Sequence, residues 1–293
     1  GESSGMSTVA FLSIALAAIM LSLGLTLTLA DFRRVLVYPK AVRIALGCQM
    51  LVLPLICLLI AIAFALPPEL AVGLMLLSAT PGGVTANLFS HLSHGDVALN
   101  ISLTAINSVL ALFTLPLILA LSLGYFMAAD KVIPPPFAKI VEVFSVVIVP
   151  VVVGMVVRAR YPQFAARLDK PMRILSALFL VAIATLVITR EWRTLLEYFP
   201  VIGGAVLTFN LVSLSVGYGA ALLARLEQRQ AVAIGMEIGI HNATLAMAIA
   251  FSPAVLNNPS MAIPGSLYGV LMLFTAAGFG WLVNLRRSAR VAA

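Results

Sequence analysis

Charged residues are scarce in this chain of 293 residues: Asp, Glu, Lys and Arg together make up 10% of it, against about 25% in soluble domains. Hydrophobic residues make up 62%, and the mean hydropathy is +1.11. A water-soluble globule of this size cannot hide that much apolar surface, so soluble enzymes and nucleic-acid-binding proteins are excluded. Cysteine is almost absent. Cys48 and Cys57 are the only two, and both lie inside one apolar stretch. They form no metal-ligand spacing and read as small core hydrophobes, which leaves the redox compartment undetermined. No Gly-rich phosphate loop of the Walker type occurs either, so energy for any transport has to come from an ion gradient.

What the chain has instead is long apolar runs. A membrane helix needs about 20 mostly apolar residues. On that criterion the sequence predicts an all-α integral membrane protein with nine spans, at 9–29, 43–66, 70–91, 97–124, 140–157, 174–190, 200–224, 230–252 and 263–285. A polar connection, Asp130 to Lys139 with Pro134-Pro135-Pro136, separates the fourth and fifth. A turn-rich stretch with Asn257-Asn258-Pro259 separates the eighth and ninth. Residues 1–5 read as an expression-tag remnant, and residues 6–293 as one membrane unit.

The basic residues set the orientation. One set of alternate loops holds Arg33, Arg34, Lys40, Arg43, Arg158, Arg160, Arg167, Lys170, Arg173, Arg225, Arg229, Arg286, Arg287 and Arg290. The other set holds only Lys131, Lys139, Arg190 and Arg193. By the positive-inside rule the N-terminus is expected outside and the C-terminus in the cytoplasm of a cell (inner) membrane. The net charge of +7 is thus a topology signal and not a nucleic-acid footprint.

Against that pattern Glu237 stands out as the one acid well inside a span, with His241 four residues on and so on the same helix face. A carboxylate at that depth costs several kcal/mol without a partner, and no Lys or Arg is available there. Its partner has to be a proton, a cation or hydrogen-bond donors. Oxygen-bearing residues recur at similar depth: Gln49, Thr80, Thr85, Asn87, Asn100, Thr104, Asn107, Asn210, Asn242 and Thr244. Single amides glue membrane helices together, but so many oxygens around one carboxylate suit a hard cation such as sodium.

Two spans carry interruptions. The third contains Thr80-Pro81-Gly82-Gly83-Val84-Thr85-Ala86-Asn87, and the eighth contains Glu237-Ile238-Gly239-Ile240-His241-Asn242. Unwound backbone at membrane depth is tolerated only where it is buried in protein or lines a cavity. The two spans lie five apart, an odd offset that places them in opposite orientations. This is the pattern of an inverted repeat with a midplane transport site.

These stretches, with Gly24-Leu25-Thr26-Leu27 and His94-Gly95-Asp96-Val97-Ala98-Leu99, resemble the bile acid:sodium symporter family over about residues 21–281. Some members of the family have ten helices and vertebrate ones lack the first; this chain resembles the nine-helix form. The resemblance implies a core domain (43–124 and 200–285), where the two broken helices cross, and a panel domain (9–29 and 140–190). It implies one or two sodium ions behind the crossing. The first site would use Asn87, Asn100, Thr104, Glu237 and, where the family usually has Ser, the carbonyl of Ala86. The second would use Gln49, Glu237, the carbonyls of Ile238 and Ile240, and His241, where the family usually has Gln. An organic anion would bind in front of the crossing, near Thr80, Gly82, Gly83, Val84, Thr85 and Asn242.

Four functions remain open on the sequence. The leading one is a sodium-coupled symporter of a small organic anion, with the lipid bilayer as its surroundings and no nucleic acid or obligate protein partner. The second is a proton-coupled carrier using Glu237 and His241. An intramembrane metalloenzyme built on that same pair, and a channel, are disfavoured: the first has no His-Glu-x-x-His and no further deep ligands, the second no repeated filter.

Overall fold

The computed structural model describes residues 2–127, 137–253 and 255–292. The expected Pro-rich connection at 130–139 falls mostly outside them. Among the described residues every regular element is helical: α1 (Glu2–Thr26), α2 (Leu29–Arg34), α3 (Pro39–Gly47), a π-turn (Cys48–Val52), α4 (Leu53–Ala63), α5 (Pro68–Ser78), α6 (Gly83–Leu92), α7 (Val97–Phe126), α8 (Phe137–Arg160), α9 (Pro162–Arg190), α10 (Trp192–Leu223), α11 (Gln228–Gly239), α12 (Ala243–Phe251), a 3-10 turn (Pro259–Ala262) and α13 (Ile263–Ala292).

Five stretches are long and apolar enough to cross a membrane: Pro39–Ala63, Val97–Phe126, Trp192–Leu223, Gln228–Phe251 and Pro259–Leu285. The pair Pro68–Ser78 and Gly83–Leu92, bent by 61°, makes a sixth if it is one span. Helices α1, α8 and α9 run through the first, fifth and sixth stretches chosen from the sequence. The protein is an all-helical, multi-pass membrane protein. Its exposed large side chains, among them Leu51, Leu55, Leu59, Phe113, Leu117, Leu121 and Phe274, fit a lipid-facing surface.

Several elements differ from the sequence reading, three of them for a clear local reason. The first span stops at Thr26, and the chain restarts as α2, capped by Thr28. Its hydroxyl accepts the Asp31 N–H at 3.3 Å, while Asp31 Oδ2 accepts the Thr28 N–H at 3.2 Å. Asp31, read from the sequence as a loop or boundary residue, is therefore buried within a helix and paired with Arg34 at 3.1 Å. Helix α9 begins at Pro162 and runs through Pro171, so much of the basic connection before the sixth span is itself helical. Finally, a π-turn interrupts the second span just before Pro54, whose missing N–H leaves the ladder one donor short.

Packing divides the helices by how closely they approach. At the α1–α8 crossing the backbones touch: a Cβ on Gly24 would strike the Val151 carbonyl, and one on Gly154 the backbone of α1 at Leu21 and Leu25. Helix α1 also packs against α9, α10 packs along α11 and α13, and α7 lies against α5, α6 and α11. The α6–α7 corner is structural. Asp96 caps α7 by accepting the Leu99 N–H at 3.0 Å, and its own N–H donates to the Arg229 carbonyl at 2.9 Å. The nearby Asp96 charge raises the pKa of the Tyr38 phenol. His94, read as a solvated turn residue, is exposed, adopts a φ of 57° and meets Asn284 at 3.1 Å.

A buried carboxylate between two helix breaks

The first break, between α5 and α6, follows from Thr80-Pro81-Gly82-Gly83. Proline supplies no N–H, and Gly83 takes a φ of +71°, a conformation that other residues adopt only with strain. The second break separates α11 from α12 at 240–242. There Ile240 is extended and the Asn242 side chain restarts the helix by accepting the Leu245 N–H at 3.0 Å.

The breaks are tied to each other through Thr80. Its hydroxyl accepts the Asn242 N–H at 3.1 Å. Its carbonyl lies 2.9 Å from His241 Nδ1 and 3.4 Å from Gln49 Nε2, which also donates to Ser78 at 3.0 Å. A carbonyl only accepts, so His241 Nδ1 carries the hydrogen. The imidazole stacks on Phe209 (centroids 5.5 Å, planes 16° apart) and lies tilted against Tyr268 at 5.4 Å. Tyr268 and Asn210 both donate to the Gly239 carbonyl, at 2.6 and 3.1 Å, and so hold the end of α11.

Glu237 is fully buried beside this junction. Its Oε2 accepts the Thr104 hydroxyl at 2.6 Å; its Oε1 accepts the Asn107 amide at 3.1 Å and the Gly82 N–H at 3.3 Å. All three partners are neutral. Thr104 Oγ1 also lies 3.3 Å from Asn87 Oδ1, and Asn100 Nδ2 is tied to the Ala233 carbonyl at 2.7 Å. The spacing 100, 104, 107 lays these three side chains along one stripe of α7. Among the described residues, several buried acceptors around the junction have no hydrogen-bond partner: Gln49 Oε1, Asn100 Oδ1, Asn107 Oδ1, Asn210 Oδ1 and His241 Nε2. Such groups are costly unless something meets them. Oxygens of this kind around a carboxylate suit a hard cation.

In front of the junction lies a cavity of about 340 Å³, bounded by α1, α6, α7, α12, α13 and the start of α2. Of the residues expected at an organic anion, Gly82, Gly83, Val84, Thr85 and Asn242 line it; Thr80 does not, being fully buried as the tie between the breaks. Among the expected cation ligands Asn87, Thr104 and His241 also reach the cavity wall, whereas Gln49, Ala86 and Asn100 are buried away from it. In this wall the sequence reading gave no role to Ser22 or Asp31 and quoted Thr26 only among the stretches that carry the resemblance; it gave none to Phe209 or Tyr268 either. Among the described residues, no Lys or Arg lines the cavity.

Helical spans, two facing breaks, a deep carboxylate and a cavity beside them define the class: a membrane transporter. Known families narrow it. The Sodium Bile acid symporter family matches residues 13–197, and the chain belongs to that family. It is 27% identical over 260 residues to the uncharacterized sodium-dependent transporter YocS of Bacillus subtilis (strain 168), covering 89% of this chain and 78% of that one. It is also 27% identical over 257 residues to the human ileal sodium/bile acid cotransporter, covering 86% of this chain and 72% of that protein. To the bovine P3 protein it is 32% identical over 234 residues, covering 78% of this chain but only 48% of the relative. The chain is thus a transporter of a sodium-dependent family and not an enzyme.

Proposed function

We propose that the protein is a secondary active symporter. Sodium moving down its gradient drives uptake of a small organic anion, by alternating access of the junction to the two sides of the membrane. The observation that carries this reading is Glu237: a fully buried carboxylate whose described partners are all neutral donors, with unpartnered oxygens nearby and a cavity beside it. Sodium is the coupling ion. Its ligands on the α7 side are Glu237, Asn87, Asn100, Thr104 and the Ala86 carbonyl. Gln49, His241 and the carbonyls of Ile238 and Ile240 make the second candidate set. The close α1–α8 crossing, with α9, serves as the panel, and α3–α7 with α10–α13 serve as the core that moves against it.

The anion occupies the 340 Å³ cavity. With no Lys or Arg among the described residues of the wall, its charge is met by the N–H groups that open α6 and α12, by the Thr85 hydroxyl and by Asn242. The apolar part of the substrate lies against Ile19, Leu23, Leu27, Ile101, Met272 and Leu273. The protein sits in the cell (inner) membrane, with its N-terminus outside and its C-terminus cytoplasmic, the orientation that the basic loops favour.

Uptake of radiolabelled organic acids into proteoliposomes, with sodium or potassium outside, tests the reading. A thermal-shift screen of the purified protein with the same acids selects the substrate. Uptake that needs sodium supports symport. Equal uptake in potassium with an imposed pH gradient would favour the proton-coupled carrier instead.

A further inference from the structure

We infer that Glu237 offers only one of its two oxygens to an ion, that Asn107 is the positioning residue that enforces this, and that the protein carries one sodium per cycle. The inference rests on the reading of Glu237 as the sodium ligand and deepens it to a stoichiometry.

A carboxylate has about four lone-pair positions, two on each oxygen. On Oε1 both are taken: Asn107 Nδ2 donates at 3.1 Å and the Gly82 N–H at 3.3 Å. On Oε2 only the Thr104 hydroxyl donates, at 2.6 Å, which leaves one position free. Oε2 is also the oxygen that Thr104 links to a set of further oxygens. Thr104 has a single hydrogen, which goes to the nearer, charged acceptor; its oxygen lone pairs then face Asn87 Oδ1, 3.3 Å away. Oxygens bound at right angles to one hard cation at about 2.4 Å stand about 3.4 Å apart. Asn100, with its amide nitrogen tied to Ala233, keeps Oδ1 free on the same stripe of α7.

Gln49 and His241 are placed differently. Both are anchored to the Thr80 carbonyl, and Gln49 Oε1 and His241 Nε2 lack partners. An ion meeting those two atoms would find no free carboxylate lone pair, because Oε1 is filled and the open position on Oε2 belongs to the Thr104–Asn87 side. Asn107 decides this outcome. A carboxylate accepts only, so the Asn107 amide nitrogen has to face it, and Asn107 is itself buried, on the same helix as Thr104.

Equilibrium binding of ²²Na⁺ to the detergent-purified full chain is the direct test. One ion bound per chain, with a sodium-dependent rise in melting temperature that follows a Hill coefficient of about 1, is the expected result. Two ions per chain would overturn the inference and leave the symporter reading standing; none would remove that reading itself. Asn107→Ala provides the second measurement. The Asn107 bond to the carboxylate is made without sodium, so its loss should lower the sodium-free melting temperature; with a position opened on Oε1, the ion count per chain and the Hill coefficient should rise above 1. One ion per chain in that variant, as in the unaltered protein, would show that Asn107 does not set how many oxygens the carboxylate offers. If the variant does not fold, the ion count on the unaltered protein still decides.

Discussion

The two helix breaks meet at one junction, yet they are built on different physics. The α5–α6 break is a bend of 61° made by Pro81 and by Gly83 in the left-handed region, and its outer turn, Val84 and Thr85, opens onto the cavity. The α11–α12 break is a three-residue gap in a stretch that is 89% buried, against 28% for Pro259–Leu285. Its ends are held by side chains from elsewhere: Asn210 and Tyr268 on the Gly239 carbonyl, Thr80 on the Asn242 N–H. Glycine plays a different part in each. Gly83 is there for its backbone angle, since a methyl group added to it would meet nothing within 4 Å; Gly239 is there for space, since a methyl group would run into Leu214. Both breaks line the cavity, but one is made by its own sequence. The other is made by its neighbours and carries the charge.

Glu237→Gln gives the largest expected effect. It keeps the shape and removes the charge proposed to meet the ion, a contact worth several kcal/mol at this depth; sodium-driven uptake should fall by more than about a hundredfold with the protein still folded. Full uptake by this variant would move the ion site away from α11. Next comes a paired test of the two breaks. In Gly82→Ala the new Cβ would sit 2.8 Å from both Glu237 Oε2 and the Ala86 Cβ, so uptake per molecule should fall about tenfold or more while expression falls less. Gly239→Ala should do the reverse, lowering the yield of folded protein more than the uptake of what does fold. The same profile for both variants, in parallel expression and proteoliposome assays, would erase the distinction between the breaks.

Gly83→Val follows, adding a side chain at a φ of +71° at a cost of about 1–2 kcal/mol. A lower melting temperature in detergent and slower uptake are expected, and an unchanged melting temperature would argue against the left-handed turn. Tyr268→Phe should do least. It removes one of two donors from the Gly239 carbonyl, a loss of about 1 kcal/mol, and Asn210 keeps the carbonyl partnered. Melting temperature should drop slightly with sodium dependence intact.

Much of this was legible in the residues. Pro81-Gly82-Gly83 announces a break wherever it falls inside an apolar run, and an acid with no basic residue at its depth announces a site. The spacing of Asn100 and Thr104 places both on one face with no further information. Other parts were not legible, because they depend on long-range contact. Asp31 looks like a loop acid until the Thr28 cap folds it inward against Arg34. Phe209 and Tyr268 look like ordinary apolar filling until His241 is found between them. Asn107 could be named as a deep polar residue, but only the position of Glu237, 130 residues away in sequence, gives its amide a partner. The helical start of α9 was missed because charge counting treats every basic stretch between spans as a loop.

That the described partners of Glu237 are all neutral has an electrical consequence. An empty carrier of this design presents one uncompensated negative charge at its centre, and one sodium cancels it. Loaded with one sodium and a singly charged anion, the protein would move no net charge across the bilayer in a full cycle. Each uncompensated charge would add about 2.3 kcal/mol per 100 mV to the driving force, and this carrier would forgo that contribution. Its accumulation of substrate would then follow the sodium concentration ratio alone, and the membrane voltage would change the rate of single steps without changing the final gradient.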